Sequence, residues 1–416
     1  MAYKVDVAVI GGGPAGLAAA LSASGEGASV LLIEREARLG GILKQCIHDG
    51  FGVIRYGEKL SGPEYACRDI RALEQTGTPV MLQTFVTRIE KASGRFLLTL
   101  VSRDGMMQVD AKSLVLATGC RERTAKQVAI HGTRPAGVLT AGNAQYYTNV
   151  LGQMPTKRCV ILGSGDVGMI MARRLTLEGA EVVGVFEAKA APGGLFRNVV
   201  QCLYDFEIPL ILGHTVTRVF GAQRVAAVET CRVDKNLNPV PGTEKLVKCD
   251  ALILSVGLIP ENELAESIGV EICRHSKGPV CDQNGMTMVD GVFSCGNSAY
   301  VTDLADHVSE SGATAGRGAA RYSGGDRELA EVGFGADFLY AVPQRIDLAG
   351  AGEETAVFFR SAEERGKTTV RVFADGSEVF SKKYGQLRPP EMERIAVKFG
   401  DALRPGGKVA LKMESS

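Results

Sequence analysis

One unit occurs twice in this chain, and it constrains the fold more than anything else. The apolar run Val5–Ile10 enters Gly11-x-Gly13-x-x-Gly16 directly, an Ala- and Leu-rich stretch follows to about Ser24, and a second apolar run, Ser29–Ile33, stops at Glu34. Strand, turn, helix and strand in that order make a βαβ dinucleotide site. Gly11 permits a sharp turn, Gly13 lets the backbone approach a pyrophosphate, and Gly16 lets the helix pack on the strand. The helix N-terminus, entered through Pro14 and Ala15, then holds the phosphate charge. Glu34 stands where a carboxylate accepts hydrogen bonds from a ribose diol. The second copy runs from Arg158–Leu162 through Gly163-x-Gly165-Asp166-x-Gly168, a helix over Met169–Leu177 and a strand over Glu181–Phe186, to the acid Glu187. Two such units about 150 residues apart imply two dinucleotides, which separates a flavin-plus-nicotinamide enzyme from a simple dehydrogenase.

Shorter motifs sit where other apolar strands end. Ser113–Leu116 leads into Ala117-Thr118-Gly119, Ala251–Leu254 into Ser255-Val256-Gly257, and Val292–Ser294 into Cys295-Gly296-Asn297. A polar stretch holding Asp303, Asp306 and His307 follows, before a small-residue helix expected over Ser309–Ala320; the two acids either cap that helix or belong to a ligand-facing helix start. From about Asp326 the glycine motifs stop. Phe338–Ile346, Thr355–Arg360, Thr368–Phe373, Ser377–Ser381 and Met392–Phe399 read as short strands between Gly, Asp and Pro turns, which suggests a small β-sandwich-like domain.

Composition excludes several classes of function. Forty-seven basic and forty-seven acidic side chains cancel, so there is no one-signed field for nucleic acid or an anionic membrane. The ten cysteines (46, 67, 120, 159, 202, 231, 249, 273, 281 and 295) include no CxxC, and with five scattered histidines they show no metal-binding spacing; no metal is expected. This reads as a reduced, cytoplasmic protein. Val7–Ala23 is nearly uncharged, but Gly11-Gly12-Gly13-Pro14 would break a signal helix, and no 18-residue apolar run suggests a transmembrane segment.

In order, GGGPAG, Glu34, the Gly40-Gly41 pair, ATG, GSGDVG and CGN resemble the two-dinucleotide-domain flavoproteins of the thioredoxin reductase and pyridine nucleotide-disulfide oxidoreductase superfamily over about residues 3 to 325. The resemblance implies an α/β fold of two Rossmann-like three-layer domains, the nicotinamide domain (123–261) inserted in the FAD domain (1–122 and 262–327), followed by a small C-terminal all-β domain (328–416). It assigns FAD to Gly11, Gly13, Pro14, Ala15, Gly16, Glu34, Arg35, Gly41, Ile42, Val86 on the adenine side, Ala117, Thr118, Gly119, Gly296 and Asn297. Asn297 replaces the family's usual Asp. NAD(H) falls to Gly163, Gly165, Asp166, Gly168, Glu187 and Gly257. No Arg stands beside Glu187 to meet a 2′-phosphate, so NADP(H) is the less favoured nucleotide, although Lys189 is nearby.

The run from Gly41 to Gly52, with Cys46 and His48 inside it, Arg121-Glu122-Arg123, residues 132–138 and Thr140–Gln145 resemble more narrowly the flavoprotein encoded beside glycerol-3-phosphate dehydrogenase in bacterial operons. They resemble, less closely, the NADH-side flavin subunits of opine, proline, sarcosine and cyanide-forming amine oxidase complexes. That resemblance implies a redox flavoprotein with a substrate-oxidising dehydrogenase partner, and a homo-oligomer stays open. Without a CxxC or a Cys pair after the first double glycine, disulfide reduction is disfavoured. Hydride exchange between NAD(H) and flavin is the half-reaction left, with electrons passing to or from a partner subunit or small acceptor. Cys46 and His48 would lie beside the flavin as candidate catalytic residues, each with a packing role as its alternative. Two other readings stay open: a stand-alone NADH oxidase or peroxidase using Cys46, and a non-catalytic flavoprotein docking subunit.

Overall fold

A computed structural model describes residues 3–415. Its contacts divide the chain into residues 1–120 with 260–416, and residues 121–259.

The first unit opens on β1 (Tyr3–Ile10), α1 (Pro14–Gly25), β2 (Val30–Ile33), α2 (Gly62–Thr76), β3 (Val80–Met81), β4 (Phe85–Ala92), β5 (Arg95–Ser102) and β6 (Gly105–Leu116). The strands lie in the order β3-β2-β1-β6-β5-β4, with β1 parallel to both β2 and β6. Alternate residues of β1 enter different cores: Val7 and Val9 pack with α1, while Ala8 and Ile10 pack with Phe96 and Leu98 of β5. A strand covered on both faces must be apolar throughout, which is why β1 reads as a continuous run. Ser61 and Glu64 close a reciprocal capping box on α2.

The inserted unit is entered through β7 (Cys120–Glu122) and holds β8 (His131–Gly132), β9 (Val138–Thr140), α3 (Ala141–Asn149), β10 (Arg158–Leu162), α4 (Asp166–Leu177), β11 (Glu181–Glu187), α5 (Phe196–Cys202), β12 (Leu210–Leu212), β13 (His214–Gly221), β14 (Val225–Arg232), β15 (Lys245–Lys248) and β16 (Ala251–Leu254). β12-β11-β10-β16-β9 form its parallel sheet, and β15-β14-β13-β8 form a second sheet that is antiparallel except for the β13–β8 pair. The chain leaves on β17 (Leu258–Pro260), which pairs with β7.

The first unit resumes with α6 (Glu263–Ser267), β18 (Val292–Ser294), which adds to β6, and α7 (Ala305–Arg321). α7 starts four residues before the expected Ser309. Its N-cap is the extended Leu304 with no side-chain cap, so neither Asp303 nor Asp306 caps it. Ser309 instead sits inside the helix, accepting from the Tyr65 hydroxyl at 2.9 Å. The C-terminal domain follows as β19 (Leu329–Phe334), β20 (Phe338–Val342), β21 (Arg345–Asp347), β22 (Thr355–Ser361), β23 (Thr368–Ala374), β24 (Ser377–Tyr384), β25 (Glu393–Val397) and β26 (Lys408–Ser415). β21-β19-β26-β23-β24 and β20-β22-β25 form two sheets around one core that includes Phe359, Val370, Val372 and Leu411. The expected strand Phe338–Ile346 is two strands, because Pro343 carries no N–H for a ladder. β19 and β26, outside the expected set, supply the parallel pair of the larger sheet.

Candidate dinucleotide sites

In the first site, Gly11 has φ +108° and a Cβ there would lie 2.3 Å from the Ala117 carbonyl oxygen; at Gly16 it would lie 1.7 Å from that of Gly11. Only glycine fits either position. Gly13 is the N-cap of α1, no side chain caps the helix, Pro14 occupies its first turn and no acid lies there. That end of the helix is left for an external anion. Glu34, 6% exposed, accepts from the Gly12 N–H at 2.6 Å through one oxygen and from the Glu36 N–H at 2.7 Å through the other. Each oxygen keeps a lone pair for a ribose hydroxyl. Gly40 donates to the Gly12 carbonyl at 2.8 Å, and Gly41 at φ +53° faces Gly13 so closely that a Cβ would stand 2.9 Å from its Cα. These two glycines make a cradle that a side chain would fill, and its fit to the diphosphate and ribose of FAD rests on that geometry.

Gly296, at φ +65°, approaches Ala15: a Cβ would come within 2.7 Å of the Ala15 Cβ. Its N–H donates to the Ser311 hydroxyl at 2.9 Å. The Asn297 amide oxygen accepts from the Thr302 N–H (3.1 Å) and hydroxyl (2.9 Å), and its amino group donates to the Cys120 sulfur at 3.5 Å. The Thr118 hydroxyl donates to the Glu261 carbonyl at 2.6 Å, beside Gly119 at φ +74°. Thus Gly11, Gly13, Pro14, Ala15, Gly16, Glu34, Gly41, Ala117 and Gly296 gather around one turn. Arg35 and Ile42 are exposed, and Val86 sits on β4, three strands from β1.

Cys46 donates its thiol to the Ile42 carbonyl at 3.4 Å, and burial pushes that thiol up to about 12, so it is protonated at neutral pH. The His48 Nδ1 lies 3.1 Å from the Asp49 carbonyl and its ring 5.0 Å from that of Phe51. Asp306 accepts from the Ile54 N–H at 3.1 Å with one oxygen, while the other is buried without a hydrogen-bond partner. His307, beside it, is buried, and loss of water holds it below the usual imidazole range.

The inserted unit repeats the design with different atoms. Gly163, at φ +93°, would press a Cβ to 2.0 Å from the Ser255 carbonyl oxygen, and one on Gly168 to 2.5 Å from the Ser255 Cβ. The Ser255 hydroxyl accepts from the Gly168 N–H at 3.1 Å. Glu187 accepts from the Ser164 N–H (3.0 Å) and hydroxyl (2.7 Å) with one oxygen and from the Lys189 N–H (3.0 Å) with the other. Gly193 donates to the Ser164 hydroxyl at 2.8 Å, as Gly40 does to the Gly12 carbonyl. Gly165 is the N-cap of α4, and Asp166 in its first turn accepts from the Leu195 N–H at 2.8 Å and the Asn198 amide at 2.6 Å. Gly257 has φ +105° and lies 3.8 Å, by its would-be Cβ, from the Arg123 side chain. Ser164, Gly193 and Ser255 join the site from outside the expected set. A signal for the second of them exists in the sequence: Gly193 follows Glu187 by six positions, as Gly40 follows Glu34.

Among the described residues no cysteine is in a disulfide, no His, Cys, Asp and Glu group could hold a metal ion, and no helix is long and apolar enough to cross a membrane. The model of a family described as pyridine nucleotide-disulphide oxidoreductase matches residues 5–317. One of the opine oxidase subunits of Agrobacterium tumefaciens is 25% identical over 94% of this chain and 75% of its own length. Hydrogen cyanide synthase subunit HcnB of Pseudomonas protegens is 28% identical over 64% of this chain, which spans only 60% of that relative. The thioredoxin reductase of T. acidophilum superposes with a TM-score of 0.60 at 22% identity, over 77% of this chain and 98% of its own.

Proposed function

Because the chain belongs to the pyridine nucleotide-disulphide oxidoreductase family and is an FAD-dependent, pyridine nucleotide-linked oxidoreductase, we propose that it works with NAD(H) and passes electrons to or from a partner subunit that oxidises a small organic substrate. When bound, nicotinamide and flavin supply hydride transfer; the protein binds and orients them. The observation that carries this reading is the pair of acid-closed glycine turns, one in each unit, with Glu34 and Glu187 each holding the turn residue behind the first glycine. Glu187 is buried, and its charge favours a ribose diol over a 2′-phosphate. Gly11, Gly13, Gly41 and the bare end of α1 would hold the FAD diphosphate, and Gly163, Gly165 and Gly168 that of NAD(H). Glycerol-3-phosphate and secondary amines or amino acids are the candidate substrate classes of the partner. The first rests on the run from Gly41 to Gly52, the second is supported by the two relatives whose names mark them as subunits of an opine oxidase and a hydrogen cyanide synthase. The protonated Cys46 weighs against a peroxidase using its thiolate.

Anaerobic titration with NADH and, separately, NADPH tests the proposal. Bleaching of the flavin band near ~450 nm by NADH at lower concentration than by NADPH is expected. An oxidised flavin left unmoved by either nucleotide would overturn it in favour of a docking subunit.

A further inference from the structure

The three-stranded sheet β20-β22-β25 is bound, side chain by side chain, to the segment between Gly296 and α7. Tyr300 packs on Phe358 with ring centroids 5.6 Å apart, and both share an apolar cluster with Ala299 and Val342. Beside that cluster the Arg360 guanidinium engages every edge it has. Its Nε donates to the Tyr340 hydroxyl at 2.7 Å, Nη1 to the Pro390 carbonyl, and Nη2 to the Asp303 carboxylate and, at 3.4 Å, to the Val301 carbonyl. The second Asp303 oxygen accepts from the Met392 N–H at 2.7 Å, and the Tyr340 hydroxyl donates to Val301 at 3.3 Å. The Arg360 and Asp303 side chains are only 13% and 16% exposed, so this pair is shielded from water, unlike a surface salt bridge. Seven residues beyond Asp303, inside α7, Glu310 receives the forked guanidinium of Arg394 of β25, the shortest contact being 2.6 Å.

The same segment carries the groups assigned to FAD. Asn297 is held through its oxygen by Thr302, which lies between the Val301 and Asp303 that Arg360 grips, and α7 begins two residues after Asp303. We propose that Arg360 is a positioning residue for the FAD site, fixing residues 297–304 and the start of α7, so that the C-terminal sheet is a working wall of that site and not an appendage. A planar guanidinium can hold two carbonyls, a carboxylate and a hydroxyl in one fixed pattern, which an ammonium cannot. The inference rests on FAD binding at Gly11–Gly16 and Gly296–Asn297.

The test uses full-length protein stripped of flavin and reconstituted with FAD. Wild type, Arg360→Lys, Arg360→Met and Val370→Ala are compared for FAD Kd, for the shape of the bound flavin's absorption band, for Tm, and for KM and kcat with NADH. Val370 lies in the main core of the same domain, away from the segment, and reports what plain destabilisation does. Both Arg360 variants are expected to weaken FAD by about tenfold and alter the band, with kcat lowered and the KM for NADH unchanged. Val370→Ala should lower Tm and leave the Kd within about twofold of wild type. Should Arg360→Met not fold, Arg360→Lys, which keeps charge and length, carries the comparison. Wild-type affinity and spectrum in a folded Arg360 variant would overturn the proposal, as would an equal loss of flavin in Val370→Ala at equal Tm. A wild-type chain that takes up no FAD would overturn the underlying reading as well, and is recognised before any variant is compared.

Discussion

One methyl group on Gly41 would close the first cradle. The position needs φ +53°, which disfavours any side chain, and the added carbon would meet the Gly13 backbone at 2.9 Å, where neither partner can swing aside. Gly41→Ala is expected to purify with less than half the wild-type ratio of flavin to protein absorbance while keeping its far-UV circular dichroism. Full flavin content would show that the cradle is not the diphosphate site. At Cys46 the expected result is inertness. A thiol pushed from about 9 to about 12 exposes roughly a thousandfold less thiolate, so peptide mapping after alkylation at pH 8 should find Cys46 the slowest of the partly exposed cysteines. Sequence could nominate this residue from its neighbours but not settle its chemistry, because a thiol's ionisation depends on surroundings that only folding creates. The same holds for Asn297, whose oxygen goes to Thr302, five residues on.

Among elements, the two glycine-turn helices differ in how their first turns are treated. α1 is left bare, whereas α4 begins with Asp166, whose carboxylate fastens the segment Leu195–Asn198. Glu187→Gln removes the charge and replaces one acceptor oxygen by an amide NH2 that faces either the Ser164 or the Lys189 donor. We expect the KM for NADH to rise about tenfold, with flavin content unchanged, since charge-assisted hydrogen bonds are worth about 1.5–3 kcal/mol. An unaltered KM would place the nucleotide elsewhere. These units are plain in the sequence because glycine spacing, strand and acid all follow from local geometry. The start of α7 is not, because Ser309 is a good capping type that the fold instead buries against Tyr65 and the Pro14 carbonyl. β19 and β26 are hidden for a related reason: their pairing is non-local, and Leu329–Phe334 alternates too weakly to announce itself.

At the scale of the molecule, the C-terminal domain is tethered by Arg327, 11% exposed, which donates to Asp282 at 2.9 Å, to the Thr287 carbonyl at 2.8 Å and to Asp290 at 3.0 Å. Desolvation raises Asp282 to about 6, although Arg327 and the backbone of Asn284 and Met286 pull it down. The folded state therefore keeps this proton to a higher pH than the unfolded chain, so the carboxyl's contribution to stability falls as pH rises from about 4 to about 6 and is level above. Arg327→Ala leaves that charge buried without its cation and should cost about 3 kcal/mol in urea unfolding at pH 7.5. The cost should shrink by pH 5, where Asp282 carries its proton; an equal cost at both would refute the account. Sequence shows that a β domain follows the glycine motifs. It cannot show that Arg360 and Arg394 bind that domain to the segment after Gly296, since side chains some 60 to 90 residues from their partners leave no periodic trace. The interrupted first unit also sets a timetable for synthesis. Gly312 and Gly316 of α7 press so closely on the backbone of Ala15 and Ala19 that any Cβ would clash, which makes α1 dependent on a helix about 300 residues downstream. The inserted unit has all its strands within residues 121–259 and can close first. At about 5–20 residues per second, the N-terminal segment waits roughly 15–60 s on the ribosome with the face of α1 uncovered, long enough for a chaperone to be its first partner.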